Sequence, residues 1–320
     1  MIDRDRPAAR PLAGGDSGTV VTVGTFDGVH RGHWQLLERV RETAEAVGLP
    51  SVLVTFDPHP LAIVRPDHAP PLLTTPAEKI EVLAESGINY MVLLRFDKDL
   101  ASWPPERFVR DILIGRFAMR HLVIGHDHGF GRGRSGDVDT LRRLGAEEGF
   151  SLDVVDAVES GDRAVSSSGI RAHLERGDVA AAGRALGRPY AIRATVVRGD
   201  GRGRSLGFPT ANLRVAHPAK LIPAEGIYAA RALLRDRAVD GVVHIGARPT
   251  FPGTEATVEL YLFDFDEDLY GAELALTLCE RIREVRRFAD VESLIRAIEE
   301  DVRTARAMHA SGAGACGVRR

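Results

Sequence analysis

Two histidines three residues apart, His30 and His33, close the run Gly24-Thr25-Phe26-Asp27-Gly28-Val29-His30-Arg31-Gly32-His33. A short β-branched run, 19–23, precedes it and an amphipathic stretch with Leu36, Leu37, Val40, Ala44 and Val47 on one face follows. The glycine-bearing turn therefore joins a strand to a helix, and both imidazoles lie on one face of that helix's first turn. A helix N-terminus offers unpaired N–H groups and the positive end of the helix dipole, a ready setting for phosphate. Two imidazole donors beside it suit a phosphoryl group that gains charge during a displacement. Gly24 and Gly28 let the backbone approach a nucleotide with no Cβ in the way. The bare spacing also fits two surface histidines on an ordinary helix, and the strand and glycine before it are what favour the phosphate site.

A second constellation lies in Gly201-Arg202-Gly203-Arg204-Ser205-Leu206-Gly207-Phe208-Pro209-Thr210-Ala211-Asn212-Leu213. Thr210 and Asn212, two apart in an extended segment, project to one side. A hydroxyl and an amide oxygen side by side suit a hard cation such as Mg²⁺. The glycines can fold backbone N–H groups over phosphates. Two formal motif matches fail on context. Gly131–Gly136 spells GxGxxG, but it begins six residues after the strand end. Gly203–Gly207 spells GxSxG, but Pro209 denies it the helix that a nucleophile elbow requires. No lysine follows a glycine, which excludes a Walker A loop.

The elements that must position these groups change period along the chain. In the first half the apolar runs 19–23, 51–56, 90–94, 121–124 and 152–155 predict buried strands, and 33–47, 76–86, 105–116 and 137–148 predict amphipathic helices between them. Strict alternation implies right-handed crossovers and a parallel sheet, with ligands at the carboxyl ends of its strands. After about residue 187 the runs 191–198, 226–234, 239–245, 256–263 and 273–278 are short, partly alternating and separated by Gly, Pro and Asp, which predicts an antiparallel barrel. A last helix is expected from about 291 to 308. The expected class is α/β plus all-β, a Rossmann-like domain over 18–186 followed by a barrel domain with a terminal helix over 187–309. The tails 1–17 and 310–320 are expected to be disordered.

Composition bounds the function. The chain has 320 residues, 44% of them hydrophobic and 27% charged, a globular balance with room for two domains. No apolar run approaches the roughly 20 residues that cross a bilayer, and Met1–Arg6 lacks the apolar core of a secretory leader. A cytoplasmic protein with no membrane partner is expected. Cys279 and Cys316 are the only cysteines, which excludes a CxxC zinc module. Residues 1–186 carry 22 Lys/Arg against 27 Asp/Glu, and the remainder 20 against 18, so neither half has the basic excess of a nucleic-acid binder.

The run through His30 and His33 resembles the HxGH signature of the nucleotidyltransferase superfamily, in the FDGxHxGH form of bacterial FAD synthetases. Phe56-Asp-Pro-His-Pro60, the loop 124–136 and Ser166-Ser-Ser-Gly-Ile-Arg171 are similar to the same family. The later half, through Pro209-Thr-Ala-Asn212, 221–228, 246–251, Val258-Glu259 and Tyr270-Gly271, resembles the riboflavin kinase domain. Together they resemble the bacterial bifunctional riboflavin kinase/FMN adenylyltransferases over roughly 19–308. The resemblance implies phosphorylation of riboflavin to FMN, then adenylylation of FMN to FAD, with ATP as co-substrate and Mg²⁺ as cofactor. It implies His30, His33 and Glu259 as catalytic groups, Glu259 as general base on the ribityl hydroxyl. It implies ATP contacts in the first domain from Gly24, Thr25, Phe26, Asp27, Gly28, Asp127, Ser166, Ser167, Ser168 and Arg171. Flavin contacts there are expected from Phe56, His59 and Phe130. In the kinase, Gly201, Arg202, Gly203, Gly207, Phe208, Thr210 and Asn212 are expected on the phosphates, and Thr210 and Asn212 on the metal. The implied partners are riboflavin, FMN and ATP, with no nucleic acid.

Three departures from the family pattern stand out: His126 and His128 flank Asp127 where aromatics are usual, Ser168-Gly169 follows the two serines where Thr-Arg or Thr-Thr is usual, and His244 stands where many relatives have Asn. The first two leave open a riboflavin kinase whose N-terminal domain is inactive or adenylylates another substrate.

Overall fold

The computed structural model describes residues 2–3, 18–126, 129, 131, 136–160, 163–199, 203, 206–235, 237–246 and 257–311. Its contacts divide the chain into two units, Met1–Val165 and Ser166–Arg320.

Besides a short antiparallel pair, β7 (Glu159–Ser160) and β8 (Arg163–Ala164), the strands of the first unit are β1 (Ile2–Asp3), β2 (Thr19–Val23), β3 (Ser51–Asp57), β4 (Tyr90–Arg95), β5 (Met119–Gly125) and β6 (Ser151–Val155). They pair in parallel in the order β1-β4-β3-β2-β5-β6. Side chains of the central strands are buried on both faces, which is why the strands read as unbroken apolar runs. Val21, Val23, Val52 and Val54 pack into one cluster with Phe108, Ile112, Leu141 and Leu144, and Val20, Leu53 and Met91 into another with Leu37, Val40 and Leu83. Helices α1 (Arg31–Val47), α2 (Pro60–Val64), α3 (Pro76–Ala84), α4 (Lys98–Ser102), α5 (Pro105–Arg107) and α6 (Val138–Glu148) supply the layers. The helix expected over 105–116 is a turn of α5 that runs into a π-helix, Phe108–Ile114. Its buried residues Phe108, Val109, Ile112 and Leu113 recur at a spacing that the wider π turn brings onto one face. Strand order reverses between β2 and β5, and the crevice at their carboxyl ends is where such a sheet binds ligands.

The second unit opens with α7 (Ser167–Glu175) and α8 (Val179–Leu186). Strands β9 (Tyr190–Val197), β10 (Ala211–Val215), β11 (Gly226–Leu234), β12 (Arg237–Gly246), β13 (Thr257–Leu262) and β14 (Glu273–Arg283) close into an antiparallel barrel, β10-β13-β12-β11-β14-β9. Burial alternates strictly along β9 and β13, one face inward and one outward. The periodicity reading found five of these strands. The sixth, β10, is short and carries Asn212 and Arg214 on its outward side, so little apolar pattern marks it, yet its pairing with β9 and β13 closes the ring. The unit boundary by contact falls at 165/166, ahead of the expected seam at 186/187, because α8 buries Val179, Ala182, Ala185 and Leu186 and packs on β9 and β14.

The last helix, α9 (Val291–Ser311), covers the outer barrel face, where Ala305, Val302 and Met308 meet Ile227, Ala229, Val242 and Phe263. Two ion pairs and a histidine–carboxylate contact fix it: Asp301 with Arg283 (2.7 and 2.6 Å), Arg306 with Asp264 (both 2.9 Å), and His309 Nδ1 beside Asp240 (3.4 Å). Of the tails expected to be disordered, Ile2–Asp3 pair along β4 and α9 reaches Ser311; the rest lie outside the described residues. Among the described residues no helix is long and apolar enough to cross a membrane.

Asp301 is only 4% exposed and accepts two bonds from one guanidinium. Asp301→Asn keeps its shape and removes its charge, and denaturant unfolding followed by circular dichroism is expected to show a loss of about 2–3 kcal/mol.

Candidate active sites

The turn after β2 is built from an uncommon backbone path. Gly24 N–H still bonds to the Val54 carbonyl (3.0 Å), extending the ladder by one residue. Phe26 (φ 47°), Gly28 (φ 82°) and Val29 (φ 41°) then take left-handed conformations. For Phe and Val each such position costs on the order of 1 kcal/mol or more, so the surroundings must hold it. Both side chains are buried, at 1% and 0% exposure. The buried Asp27 carboxylate accepts the N–H groups of Leu73 (3.1 Å) and Thr74 (3.0 Å), and Gly28 N–H donates to Thr74 Oγ1 (3.0 Å). The Thr25 carbonyl accepts from Lys79 Nζ (2.7 Å) and Thr55 Oγ1 (3.1 Å). The side chains of Phe26 and Asp27, expected on the nucleotide, therefore turn inward and shape the turn.

That path delivers the histidines as a reciprocal cap on α1. His33 N–H donates to His30 Nδ1 (3.4 Å) and His30 N–H donates to His33 Nδ1 (3.2 Å). The rings stack with centroids 3.7 Å apart, and Phe26 lies against His33 at 5.0 Å. A ring whose Nδ1 accepts a hydrogen bond carries its proton on Nε2. The cap thus presents two Nε2–H donors in fixed orientation beside the positive end of a 17-residue helix whose first turn carries no acid. This arrangement can stabilise charge that develops on a phosphoryl group.

Other expected residues fall in several settings. Across the crevice β5 ends at Gly125, and His126 N–H bonds to the Val155 carbonyl (3.0 Å). Asp127, His128 and Phe130 lie outside the described residues. Phe56, at the end of β3, is 8% exposed and packs on Phe96 and Phe108 (5.4 and 6.3 Å between centroids), so most of its ring serves the core. His59 caps α2, its Nδ1 accepting from Leu61 N–H (3.2 Å). In the second unit Ser166 is the N-cap of α7, its Oγ accepting from Gly169 N–H (3.2 Å). Ser168 is exposed there, and Arg171 is buried on the same helix.

On the barrel, Asn212 pairs with Glu259, and Glu259 with His244, so the three stand in one row across β10, β13 and β12. Their strand neighbours Leu213, Val258, Leu260, Val243 and Ile245 are buried, which puts the row on the outer face. Thr210, two residues before Asn212, shares that side. A Cβ on Gly203 would sit 2.3 Å from the Phe208 carbonyl and 2.8 Å from Thr210 Oγ1, so only glycine lets the arm fold this closely, with Phe208 N–H bonded to the Gly203 carbonyl (2.9 Å). Hydroxyl, amide and carboxylate oxygens in one row fit a hard divalent cation. Gly201 and Arg202 lie outside the described residues.

Sequence reasoning passed over Leu73, Thr74 and Lys79, which brace the histidine turn. The readable signal was Lys79 itself: it is one of three lysines and stands four before Leu83 on the buried face of α3. Burial pushes its ammonium below the usual lysine range, against the pull of Asp27 and Asp57. A cavity of about 410 Å³ between 286–289 and the first turns of α9, lined by Arg286, Arg287, Phe288 and Arg296, was likewise not anticipated.

Comparison with known proteins places the chain in a family. Residues 14–169 match the FAD synthetase family and 186–309 the riboflavin kinase family. The chain is 38% identical over 290 residues to the bifunctional riboflavin kinase/FMN adenylyltransferase of Escherichia coli K12, covering 90% of this chain and 92% of that one. It is 35% identical over 288 residues to the protein of the same name from Bacillus subtilis, 88% and 90% of the two chains. A crystal structure of a Streptococcus pneumoniae protein described as a macrolide-efflux protein superposes with a TM-score of 0.86 at 29% identity, covering 96% of this chain and 98% of that one. With identity of this level sustained along nearly the whole chain, through both the histidine-capped helix and the barrel row, the protein belongs to the bifunctional riboflavin kinase/FMN adenylyltransferase family.

Proposed function

We propose that this chain makes FAD in two steps, phosphorylating riboflavin to FMN and then adenylylating FMN, each at the expense of one ATP. The reading rests above all on the reciprocal His30/His33 cap, which fixes two Nε2–H donors at a helix N-terminus. In the first domain an FMN phosphate oxygen attacks the α-phosphorus of ATP, and the bond to the pyrophosphate leaving group breaks. His30 and His33 stabilise the charge on the crowded α-phosphoryl oxygens, with no covalent intermediate. Asp127, Ser166, Ser167, Ser168 and Arg171 serve the ATP, Gly24 to Gly28 shape its bed, and Phe56, His59 and Phe130 serve the flavin. We assign this activity to residues 18–186 and the kinase to 187–309.

In the kinase, Glu259 takes the proton of the ribityl 5′-hydroxyl as that oxygen attacks the γ-phosphorus of a second ATP and ADP leaves. Gly201, Arg202, Gly203, Gly207 and Phe208 form the arm over the phosphates. Thr210 and Asn212 hold Mg²⁺, which when bound neutralises phosphate charge. The cross-strand pairing of Asn212 with Glu259 keeps base and metal ligand side by side. The enzyme works in the cytoplasm on small molecules, with neither nucleic acid nor membrane as partner.

Riboflavin, ATP and Mg²⁺ incubated with the purified chain, with flavins separated over time, are expected to give FMN that rises and then yields to FAD. FMN accumulating without FAD would instead fit a kinase whose first domain is inactive or acts on another substrate. His33→Asn keeps an acceptor near the Nδ1 position and removes the Nε2 donor; steady-state assays are expected to show FAD formation reduced about 100-fold or more and FMN formation unchanged. Glu259→Gln reverses the pattern, with riboflavin phosphorylation reduced about 100-fold or more and FAD formation from supplied FMN retained.

A further inference from the structure

Lys79 is 6% exposed, on the first turn of α3. Its neighbour Glu78 is engaged in the capping box with Thr75 (2.9 and 3.2 Å), so the helix start is fixed without help from the lysine. The ammonium reaches past it to the Thr25 carbonyl at 2.7 Å, with Thr55 Oγ1 at 3.5 Å. Asp27 and Asp57 attract it at longer range. Removing an ammonium from water is costly, and a leucine would fill this buried position, four before Leu83, without that cost. A lysine retained here does something other than pack.

The contacted atom shows what. Thr25 O belongs to the peptide plane that leads into the left-handed Phe26. That plane is held from two sides, by Thr55 on β3 and by Lys79 on α3. Phe26 in turn lies against the His33 ring. Rotation of the 25–26 peptide would let Phe26 relax to an ordinary φ and withdraw the support under the stacked histidines.

We propose that Lys79 is a positioning residue for adenylyl transfer, its buried ammonium holding the Thr25 carbonyl and, through that carbonyl, the turn that aims His30 and His33. The inference rests on the reading of the first unit as the adenylyltransferase. Lys79 touches neither imidazole, and its effect is on the geometry of the reacting complex rather than on substrate capture. Mispositioning of the order of an ångström costs up to about 100-fold in rate, and a loss confined to the transition state lowers kcat with KM unchanged.

The test uses the full chain with Lys79→Met and Lys79→Arg, and riboflavin kinase turnover of the same preparation reports its integrity. For Lys79→Met, FAD formation from FMN and ATP is expected to fall about 30-fold in kcat, with both KM values within about threefold and kinase turnover unchanged. Lys79→Arg, which restores a charged donor, is expected to recover at least about tenfold of that loss. If Lys79→Met weakens folding of the first unit as well, Arg must restore fold and turnover together. A Met variant as fast as the parent, a loss expressed in KM alone, or an Arg variant no better than Met overturns the proposal. A parent chain that forms no FAD would defeat the adenylyltransferase reading itself, a result distinct from all of these.

Discussion

The first unit depends on one strained turn. Residues 26–29 pass through three left-handed conformations within four positions, two of them at residues with a Cβ. No local preference produces this path, so long-range contacts impose it: the Asp27 carboxylate on the amides of 73 and 74, the lysine on the Thr25 carbonyl, and burial of Phe26 and Val29. Once the turn is set, the rest follows locally. The chain leaves it at His30 in an extended conformation suited to an N-cap, and the cap locks both rings in one tautomer. Strain held by a rigid surround is a means of pre-organisation, because the donors need not reorient as charge develops.

The barrel reaches comparable order by another route. There the chemistry-bearing groups stand on paired strands, so hydrogen-bond register does what the strained turn does in the first unit. Asn212, Glu259 and His244 are neighbours because β10, β13 and β12 pair as they do, and a one-residue slip of any of these strands would turn its own member of the row into the core. That register is fixed by the strictly alternating burial of β13 and by α9, whose ion pairs and apolar face hold the outer surface beyond the row. Ahead of β10, Gly203 closes on Phe208 and Thr210 because a glycine has no Cβ to obstruct the approach.

Much of this was legible in the residues. The Val-rich strands and the helix that follows His30 announce themselves because both faces of the sheet are buried and α1 is amphipathic along its length. The barrel was legible as a class, from short alternating runs, whereas β10 was not, since a five-residue strand with polar outward positions carries almost no periodic signal. The reciprocal His30/His33 bonds could not be read from spacing alone: HxGH gives proximity, and only the backbone path decides which nitrogen meets which amide. The inward turn of Asp27 was hidden for the same reason, because its partners at 73 and 74 lie 46 and 47 positions away. Lys79 was visible as one of three lysines, four before Leu83, but its target is a backbone carbonyl 54 residues distant, which no side-chain pattern encodes.

Net charge is a poor guide to where such a protein binds anions. Residues 1–186 carry five more acids than bases, yet the proposed function has them hold the site that accepts a polyphosphate. The apparent conflict disappears once the charges are placed. Several of the arginines form exposed pairs with nearby acids, such as Arg41 with Glu38 and Glu45 or Arg143 with Glu147 and Glu106, and their fields largely cancel within a Debye length. Among the described residues the groups at the crevice are directional: the N-terminus of α1 with no acid in its first turn and two imidazole rings in a fixed cap, with Lys79 holding the Thr25 carbonyl under the turn. Fixed dipoles of this kind can receive a phosphate without attracting every polyanion in solution, which a surface lysine cluster would do.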